Sequence, residues 1–176
     1  VVNQYSSIAF QKYFLSDDTT ANLAQGGIYA AAASLAIILS LFTTAFNYAA
    51  EPFFFAHKDK EGSREVYADA ALAFTISGSV IMLGLLAYID IFQYLLGSNF
   101  RQGLSVVPIL LLSFLLLGIY YNFSAWYKLA DKTFLGSAIA VGGTVITILL
   151  NIILLPWMGV AGSAWAALAC YLVMCV

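Results

Sequence analysis

The stretch AAEPFFFAHKDKEGSRE (residues 49–65) joins the end of a long apolar run to a dense group of acidic and basic residues. The run that leads into it, residues 28–50, is 23 residues long, rich in alanine and free of charge. An α-helix needs about 20 mostly apolar residues to cross the roughly 30 Å hydrocarbon core of a bilayer. The run therefore predicts a membrane-spanning helix, and the charges that follow predict a loop in water.

The composition of the whole chain agrees with this prediction. Hydrophobic residues make up 62% of the 176 residues and charged residues 9%, with a mean hydropathy of +0.91. An ordinary soluble domain has about 25% charged residues, so a soluble domain is excluded. No segment alternates apolar and polar residues as membrane β-strands do. We therefore predict an all-α integral membrane protein, built as a multi-helix transmembrane bundle.

Apolar runs divide the chain into four full spans and two partial ones. The full spans cover residues 28–50, 66–96, 104–127 and 134–155, and the partial spans cover residues 1–15 and 160–176. Because the partial spans stand at the two ends of the sequence, we expect residues 1–176 to be a fragment of a longer membrane protein.

The loops between the spans differ in charge. Loops 57–65 and 128–133 together carry five Lys or Arg residues, whereas loops 16–25 and 97–103 carry one, Arg101. Lys and Arg in short loops favour the cytoplasmic side of the membrane. We therefore predict that the first two loops are cytoplasmic and the other two are periplasmic.

Residues for enzyme chemistry are scarce. The chain has one histidine, His57, which excludes an HExxH zinc site or a histidine-based triad within these residues. Cys170 and Cys175 lie about 140° apart around one helix, so a disulfide between them is not expected. The net charge of -2 does not indicate a class of partner, and the lack of a basic tract indicates no nucleic-acid partner. We predict no catalytic residue, no metal site and no cofactor.

Five polar residues within or near the spans are candidate substrate-path residues. An ionised group at the centre of a membrane helix costs about 2.5–3.5 kcal/mol on insertion scales, so such groups usually face a cavity or a partner. The candidates are Lys12, Asn47, Glu51, Asp90 and Arg101.

Most of these candidates also have a structural interpretation. Glu51 precedes Pro52, where we expect the helix to kink or end and to leave the carboxylate solvated at the interface. Asp90 and Arg101 are placed to pair at the outer rim of the bundle. Lys12 lies close enough to the outer loop for its ammonium group to reach water.

Small and amide residues predict how the helices pack. Small residues recur four positions apart at 30 and 34, at 136, 140 and 144, and at 159 and 163. Such spacing lets helix backbones approach closely in a membrane. Asn47 and Asn151 are expected to donate hydrogen bonds between helices. The functional alternative for the small residues is a sliding interface in a transporter that rocks.

The order of motifs along the chain resembles a known family. In sequence order they read GGIYAAA, FNYAAEPFFF, a charged loop, YIDIFQYLLGSNFRQGLSVVPILLL, GIYYNFSAWYKLADKT and LLPWMGVAGSAWAAL. This order resembles the C-terminal half of the polysaccharide flippases of the MOP superfamily, the Wzx-type O-antigen or oligosaccharide exporters, especially Bacteroidetes-like ones. The similarity covers nearly the whole chain, and AAEPFFF, WYKLADKT and GSAW are its most specific parts.

The resemblance implies a fold, a substrate and partners. It implies one lobe of a MATE/MOP-like two-lobe transporter, with residues 1–176 as a fragment of the C-terminal transmembrane lobe. The implied activity moves undecaprenyl-pyrophosphate-linked oligosaccharide across the bacterial inner membrane by alternating access, in cell-surface polysaccharide biosynthesis. The implied partners are this lipid-linked substrate, membrane lipid and the N-terminal lobe of the same protein.

Two departures from the family pattern remove positive charge. Family members often carry an Asp-Arg pair where this chain has Ser6 and Ser7, and often an Arg where it has Asn47. A pyrophosphate site at those positions is therefore not implied. The alternative function is a MATE-type cation-coupled drug or metabolite antiporter. A membrane-embedded glycan enzyme is less compatible with the short loops, and a non-transporting scaffold is the remaining alternative.

Overall fold

A computed structural model describes residues 19–57, 62–129 and 133–175. Over these residues the chain is almost entirely helical and contains no strand, which confirms the predicted all-α class. The helices are α1 (Thr19–His57), α2 (Ser63–Ala87), the single-turn α3 (Ile89–Phe92), α4 (Val107–Leu129), α5 (Thr133–Met158) and α6 (Val160–Cys175). Two 3-10 segments, Gln93–Leu95 and Ser98–Val106, connect α3 to α4.

Four helical segments are long and apolar enough to cross a membrane. They are Ala24–His57, Ser63–Ala87, Phe100–Ala125 and Phe134–Met158, and α6 is a shorter apolar helix. Large apolar side chains cover the outside of the bundle, among them Leu41, Val80, Leu149 and Trp157. Such a surface is stable in lipid rather than in water, so the chain is a multi-pass membrane protein.

Helix α4 lies at the centre of the bundle and packs against α1, α2 and α6. Its buried Leu110 and Leu111 belong to the same core as the buried alanines of α1, Ala32, Ala33 and Ala36. The segment before α4 approaches α1 even more closely, since a Cβ added at Gly103 would lie 2.8 Å from the carbonyl oxygen of Ile28. Small residues therefore bring the backbones of α1 and the start of α4 together.

An aromatic cluster joins α1, α2 and α4 midway along the bundle. The ring of Phe74 on α2 is fully buried, stacks on Phe42 at 5.5 Å between centroids and meets Phe46 edge-on at 5.1 Å. The ring occupies the space over Gly118 of α4, where an added Cβ would overlap it and would lie 2.9 Å from Thr43 Oγ1. Gly118 thus provides the gap into which Phe74 fits.

The pair α5 and α6 packs through small residues, and one of those predicted, Ser163, is fully buried on α6. A Cβ at Gly143 would lie 2.5 Å from Met174 Sδ, and one at Gly162 would lie 2.5 Å from the carbonyl oxygen of Leu154. Ala30 and Ser34 of the predicted pairs are exposed instead. The prediction was therefore wrong for positions 30 and 34 but not for Ser163, because spacing alone does not fix the rotation of a helix about its axis.

Neither Cys170 nor Cys175 forms a disulfide, which confirms the expectation for this pair. The Cys170 thiol lies 3.1 Å from the carbonyl oxygen of Gly143 and packs between α5 and α6. The Cys175 thiol lies 3.3 Å from the carbonyl oxygen of Leu116 on α4. Both side chains therefore fill space between helices.

Several helix boundaries differ from the predicted ones. Helix α1 continues through Pro52 to His57 and α5 continues through Pro156 to Met158, so neither proline ends its helix. Membrane helices tolerate proline where neighbouring groups satisfy the backbone. Residues 97–103, expected to be a loop, lie largely in the Ser98–Val106 3-10 helix. The predicted helix over residues 66–96 breaks at Tyr88.

The loops divide between the two ends of the bundle as the alternation of spans predicts. At one end, called the Gly103 end, Gly103 lies against Ile28, and a Cβ at Gly159 would lie 3.6 Å from Gln25 Oε1. At the other, called the His57 end, the Tyr67 hydroxyl donates to the Phe54 carbonyl at 3.2 Å. The helix ends that border the two Lys- and Arg-rich loops lie at the His57 end, and the cytoplasmic location of those loops stays a prediction.

We expect Gly118→Ala to destabilise the protein because the new methyl group would overlap the buried Phe74 ring. Overpacking of this kind costs about 1–3 kcal/mol, which corresponds to a fall of roughly 2–10 °C in the midpoint of thermal unfolding. The matched control is Gly142→Ala on α5, where an added Cβ meets nothing within 4 Å. The unfolding midpoints of both variants are measured by thermal unfolding of the detergent-solubilised protein. Equal midpoints for the two variants would contradict the packing described.

We expect Gln102→Cys to react with a membrane-impermeant thiol reagent on spheroplasts, and Glu65→Cys to react only after the membrane is permeabilised. Both positions are exposed, and they lie at the Gly103 end and the His57 end respectively. The background carries Cys170→Ala and Cys175→Ala, so that only the introduced thiol is labelled. The reverse labelling pattern would invert the predicted topology.

Candidate functional site

A cavity of about 240 Å³ lies between α1 and α4, toward the His57 end. We call it the α1–α4 cavity. Its lining residues are Thr44, Asn47, Tyr48, Glu51, Phe54 and Phe55 on α1 and Tyr121, Ser124 and Ala125 on α4. The cavity therefore combines one carboxylate, one amide and several hydroxyl groups with four aromatic rings.

The residues of α1 reach the cavity because they share one face of the helix. Positions 44, 47, 48, 51, 54 and 55 are three or four residues apart, which places them on one side at 3.6 residues per turn. Phe42, Thr43 and Phe46 lie on another side, against Phe74 and Gly118. Anchoring that side of α1 in the core turns the polar side toward the cavity.

The cavity lies within the segments that are predicted to cross the membrane. Glu51 belongs to the Ala24–His57 span and Ser124 to the Phe100–Ala125 span. Glu51 stands six residues before the end of α1, or about 9 Å along the axis at 1.5 Å per residue. The 34-residue Ala24–His57 helix is about 51 Å long at 1.5 Å per residue, whereas the hydrocarbon core is roughly 30 Å thick, so Glu51 lies toward the membrane interface at the His57 end.

Pro52 removes one backbone hydrogen bond from α1 beside the cavity. A proline has no N–H, so the carbonyl of Tyr48, four residues earlier, lacks its usual donor within the helix. Tyr48 itself lines the cavity and its side chain is 74% exposed.

The aromatic end of the cavity is held by α2. The Tyr67 hydroxyl donates to the Phe54 carbonyl at 3.2 Å, and the two rings meet edge-on with centroids 5.1 Å apart. Phe54 is 4% exposed as a result. His57 stays on its own helix, with Nδ1 2.9 Å from the Phe53 carbonyl oxygen. Residues from α2 therefore fix the end of α1 that carries Glu51.

The structure brings together two of the five candidate residues, Asn47 and Glu51, which stand one turn apart in the cavity. Asp90 and Arg101 lie at the Gly103 end instead. No ion pair joins these two described residues. The Arg101 guanidinium carbon lies 5.4 Å from the centroid of the Tyr94 ring, in a cation–π contact. The expected Asp90–Arg101 pair is therefore absent, and Lys12 lies outside the described residues.

Four further polar residues of the cavity were not predicted: Thr44, Tyr48, Tyr121 and Ser124. A signal for the first two was present in the sequence, because they stand three residues from Asn47 and from Glu51 respectively. Tyr121 and Ser124 lie some 70 residues further along the chain. Only the packing of α4 on α1 brings them to the cavity.

The electrostatics of the cavity are simple. Glu51 is the sole acidic residue among its described lining residues, and these include no Lys or Arg. Within the described part of the chain no group of three or more His, Cys, Asp and Glu side chains is placed to hold a metal ion. Among the described lining residues the cavity therefore offers acceptors and hydroxyl groups, and Glu51 has an interaction partner of its own.

A second set of polar side chains is buried between α5 and α6. Asn151, fully buried, donates from Nδ2 to the Thr147 carbonyl of its own helix at 2.9 Å. The interhelical donation expected of Asn151 is therefore wrong. Asn151 Oδ1 and Ser163 Oγ have no hydrogen-bond partner among the described residues. This set is closed to the surface, whereas the α1–α4 cavity is open.

Comparison with known proteins assigns the chain to no family. The chain matches no family model, no curated protein and no solved structure.

Proposed function

We propose that the protein is a flippase or exporter that moves undecaprenyl-pyrophosphate-linked oligosaccharide across the bacterial inner membrane by alternating access. The observation that carries the proposal is the polar α1–α4 cavity within the membrane-spanning segments. The motif resemblance and the all-α membrane bundle support it. A glycan headgroup needs a hydrated path through the bilayer, while its lipid tail remains in the hydrocarbon.

The exposed face of α1 supports a two-lobe arrangement. Ser34, Leu41, Thr44, Tyr48 and Glu51 follow one another along this face, and all are exposed. Polar groups on such a face are unfavourable against lipid. In the proposed transporter the face borders a central cavity whose far wall is the second lobe, so that rocking of the lobes opens the cavity to each side in turn.

The charge of the cavity limits what it can hold. A pyrophosphate group needs cations, and the described lining residues supply Glu51 but no Lys or Arg. Arg101 is exposed at the opposite end, next to the start of α4. Within this proposal we assign a phosphate contact to Arg101. Lys12 stays a second candidate for that role.

One observation favours the alternative function, a MATE-type cation-coupled drug or metabolite antiporter. Because α1 continues beyond Pro52, Glu51 lies inside the cavity rather than at a helix end. A carboxylate among aromatic rings is also suited to an organic cation. The two functions differ in cargo, so cell-based transport distinguishes them.

We expect the full-length protein to restore surface polysaccharide in a flippase-deficient strain that supplies a matching lipid-linked glycan. Export is measured as surface polysaccharide on intact cells. In the same strain we expect no change in sensitivity to a cationic dye such as ethidium. Dye resistance without restored polysaccharide would reject the flippase in favour of the antiporter.

We expect Arg101→Ala and Arg101→Lys each to lower polysaccharide export about tenfold at matched membrane levels. A guanidinium group binds a phosphate through two hydrogen bonds, and lysine offers a point charge instead. If Arg101 served only to stack on Tyr94, Arg101→Lys would export nearly normally and Tyr94→Ala would reproduce Arg101→Ala. Normal export by Arg101→Ala would remove Arg101 from the substrate path.

A further inference from the structure

The connection between α2 and α4 lies where the chain leaves and re-enters the membrane. The Ser63–Ala87 span ends just before Tyr88, and the next span begins at Phe100. Both points lie at the Gly103 end, because α2 runs toward that end from its contact with α1 at the His57 end. Residues 88–101 therefore lie at the membrane surface, and we call them the surface segment.

The surface segment has an inner face and an outer face. The inner face packs on the core of the bundle through Ile89, Phe92 and Leu96. The outer face carries large aromatic and aliphatic side chains that are 61%, 63% and 75% exposed: Tyr88, Ile91 and Tyr94. Exposed apolar surface is unfavourable in water, and tyrosine is enriched where a membrane meets water. The outer face therefore matches the headgroup region of a lipid leaflet.

Contacts with α1 on both sides fix the backbone that carries Arg101. A Cβ added at Gly27 of α1 would lie 3.2 Å from Phe100 Cε1, so the Phe100 ring packs directly on the α1 backbone. Gly103 lies against the Ile28 carbonyl oxygen of the same helix. Arg101 stands between these two contacts, and its side chain is exposed. The guanidinium group therefore extends from a backbone that is held in place.

The Tyr94 ring holds the Arg101 guanidinium group beside the outer face. The guanidinium carbon lies 5.4 Å from the centroid of the ring. This attraction acts through the face of the ring and leaves the N–H groups able to donate to other acceptors. The planar guanidinium group presents those N–H groups in a fork that matches two oxygens of a phosphate. Arg101 is therefore placed to bind an anion next to an apolar surface.

The surface segment contains one basic and one acidic residue, Arg101 and Asp90. Asp90 is exposed, and its backbone carbonyl accepts from Gln93 Nε2 at 2.9 Å. The two formal charges cancel over the segment as a whole. Binding of an anion therefore depends on direct hydrogen bonds from the Arg101 guanidinium group rather than on a net positive field.

We infer that the surface segment binds an anionic phospholipid of the adjacent leaflet. The phosphate of the lipid accepts from Arg101, and its glycerol and upper acyl region pack against Tyr88, Ile91 and Tyr94. A soluble phosphate would satisfy the guanidinium group but would leave the apolar outer face in water. The inference goes beyond the proposed flippase function and does not depend on it. Within that function the substrate would displace this lipid from Arg101.

Native mass spectrometry of the detergent-solubilised full-length protein tests the inference. The probes are dioleoyl phosphatidylglycerol, dioleoyl phosphatidylcholine and, as a competitor, inorganic pyrophosphate. We expect the phosphatidylglycerol to bind at least about fivefold more tightly than the phosphatidylcholine, and pyrophosphate not to displace it. A fivefold ratio corresponds to about 1 kcal/mol, which is the contribution of one arginine near an anionic membrane surface.

The variants assign the preference to named side chains. Arg101→Ala and Arg101→Gln should each bring the affinities for the two lipids to within about twofold, because neither new side chain is charged. Ile91→Ser should weaken both lipids about threefold and leave their ratio unchanged, since it removes apolar surface and no charge. The matched control is Arg64→Gln, because Arg64 is exposed at the His57 end, and this variant should keep the fivefold preference.

The inference is overturned if the wild type shows no preference for phosphatidylglycerol, if both Arg101 variants keep the preference, or if pyrophosphate displaces the lipid. Displacement by pyrophosphate would indicate a site for soluble phosphate. Equal loss of preference in Arg64→Gln and Arg101→Gln would also overturn it, because the preference would then reflect the charge of the whole protein.

Polysaccharide export in cells keeps this test separate from that of the proposed function. Restored export by a protein without the lipid preference rejects the lipid site alone. The lipid preference without export rejects the flippase and leaves the lipid site in place.

Discussion

The contact between Phe74 and Gly118 determines how the bundle presents its polar residues. The Phe74 ring fits over Gly118 of α4 and between Phe42 and Phe46 of α1, so three helices meet at one point. A side chain at 118 would separate α4 from α2 and free the rotation of α1. With the rotation fixed, the apolar side of α1 lies in the core and the side with Asn47 and Glu51 faces the cavity. Close packing of a glycine and an aromatic ring thus positions polar groups that never touch them.

The length of the apolar runs predicted correctly that the helices exist, but it predicted their first and last residues less well. Four spans follow from composition alone, because the bilayer sets a minimum length for an apolar helix. The predicted helix ends were wrong where a proline was taken to mark the end of a helix. Pro52 and Pro156 each remain inside a helix, since loss of one hydrogen bond does not end a helix that is packed on its neighbours. The small-residue prediction was wrong for positions 30 and 34, which are exposed, for another reason: a shift of one position turns a side chain by about 100° around the helix.

The sequence predicted some of the residues that line the candidate site and missed others. Asn47 and Glu51 stand out because polar groups are rare in apolar helices, and the cavity contains both. Tyr121 and Ser124 carried no such signal, because tyrosine and serine at the end of a span are ordinary at a membrane interface. Arg101 and Asp90 were expected to pair from proximity in sequence. The guanidinium group lies instead over the Tyr94 ring. A search of the sequence for oppositely charged partners does not include aromatic rings.

The separation of the two charged candidates restricts any mechanism that uses both. Val107 and Ser124 mark the start of α4 and its contact with the cavity, and 17 residues of helix between them span roughly 25 Å. Arg101 precedes Val107, so its guanidinium group and the Glu51 carboxylate lie at opposite ends of the bundle. A compact headgroup cannot touch both at once. Within the proposed transport cycle the cavity therefore acts at the His57 end and Arg101 acts at the Gly103 end, at different stages.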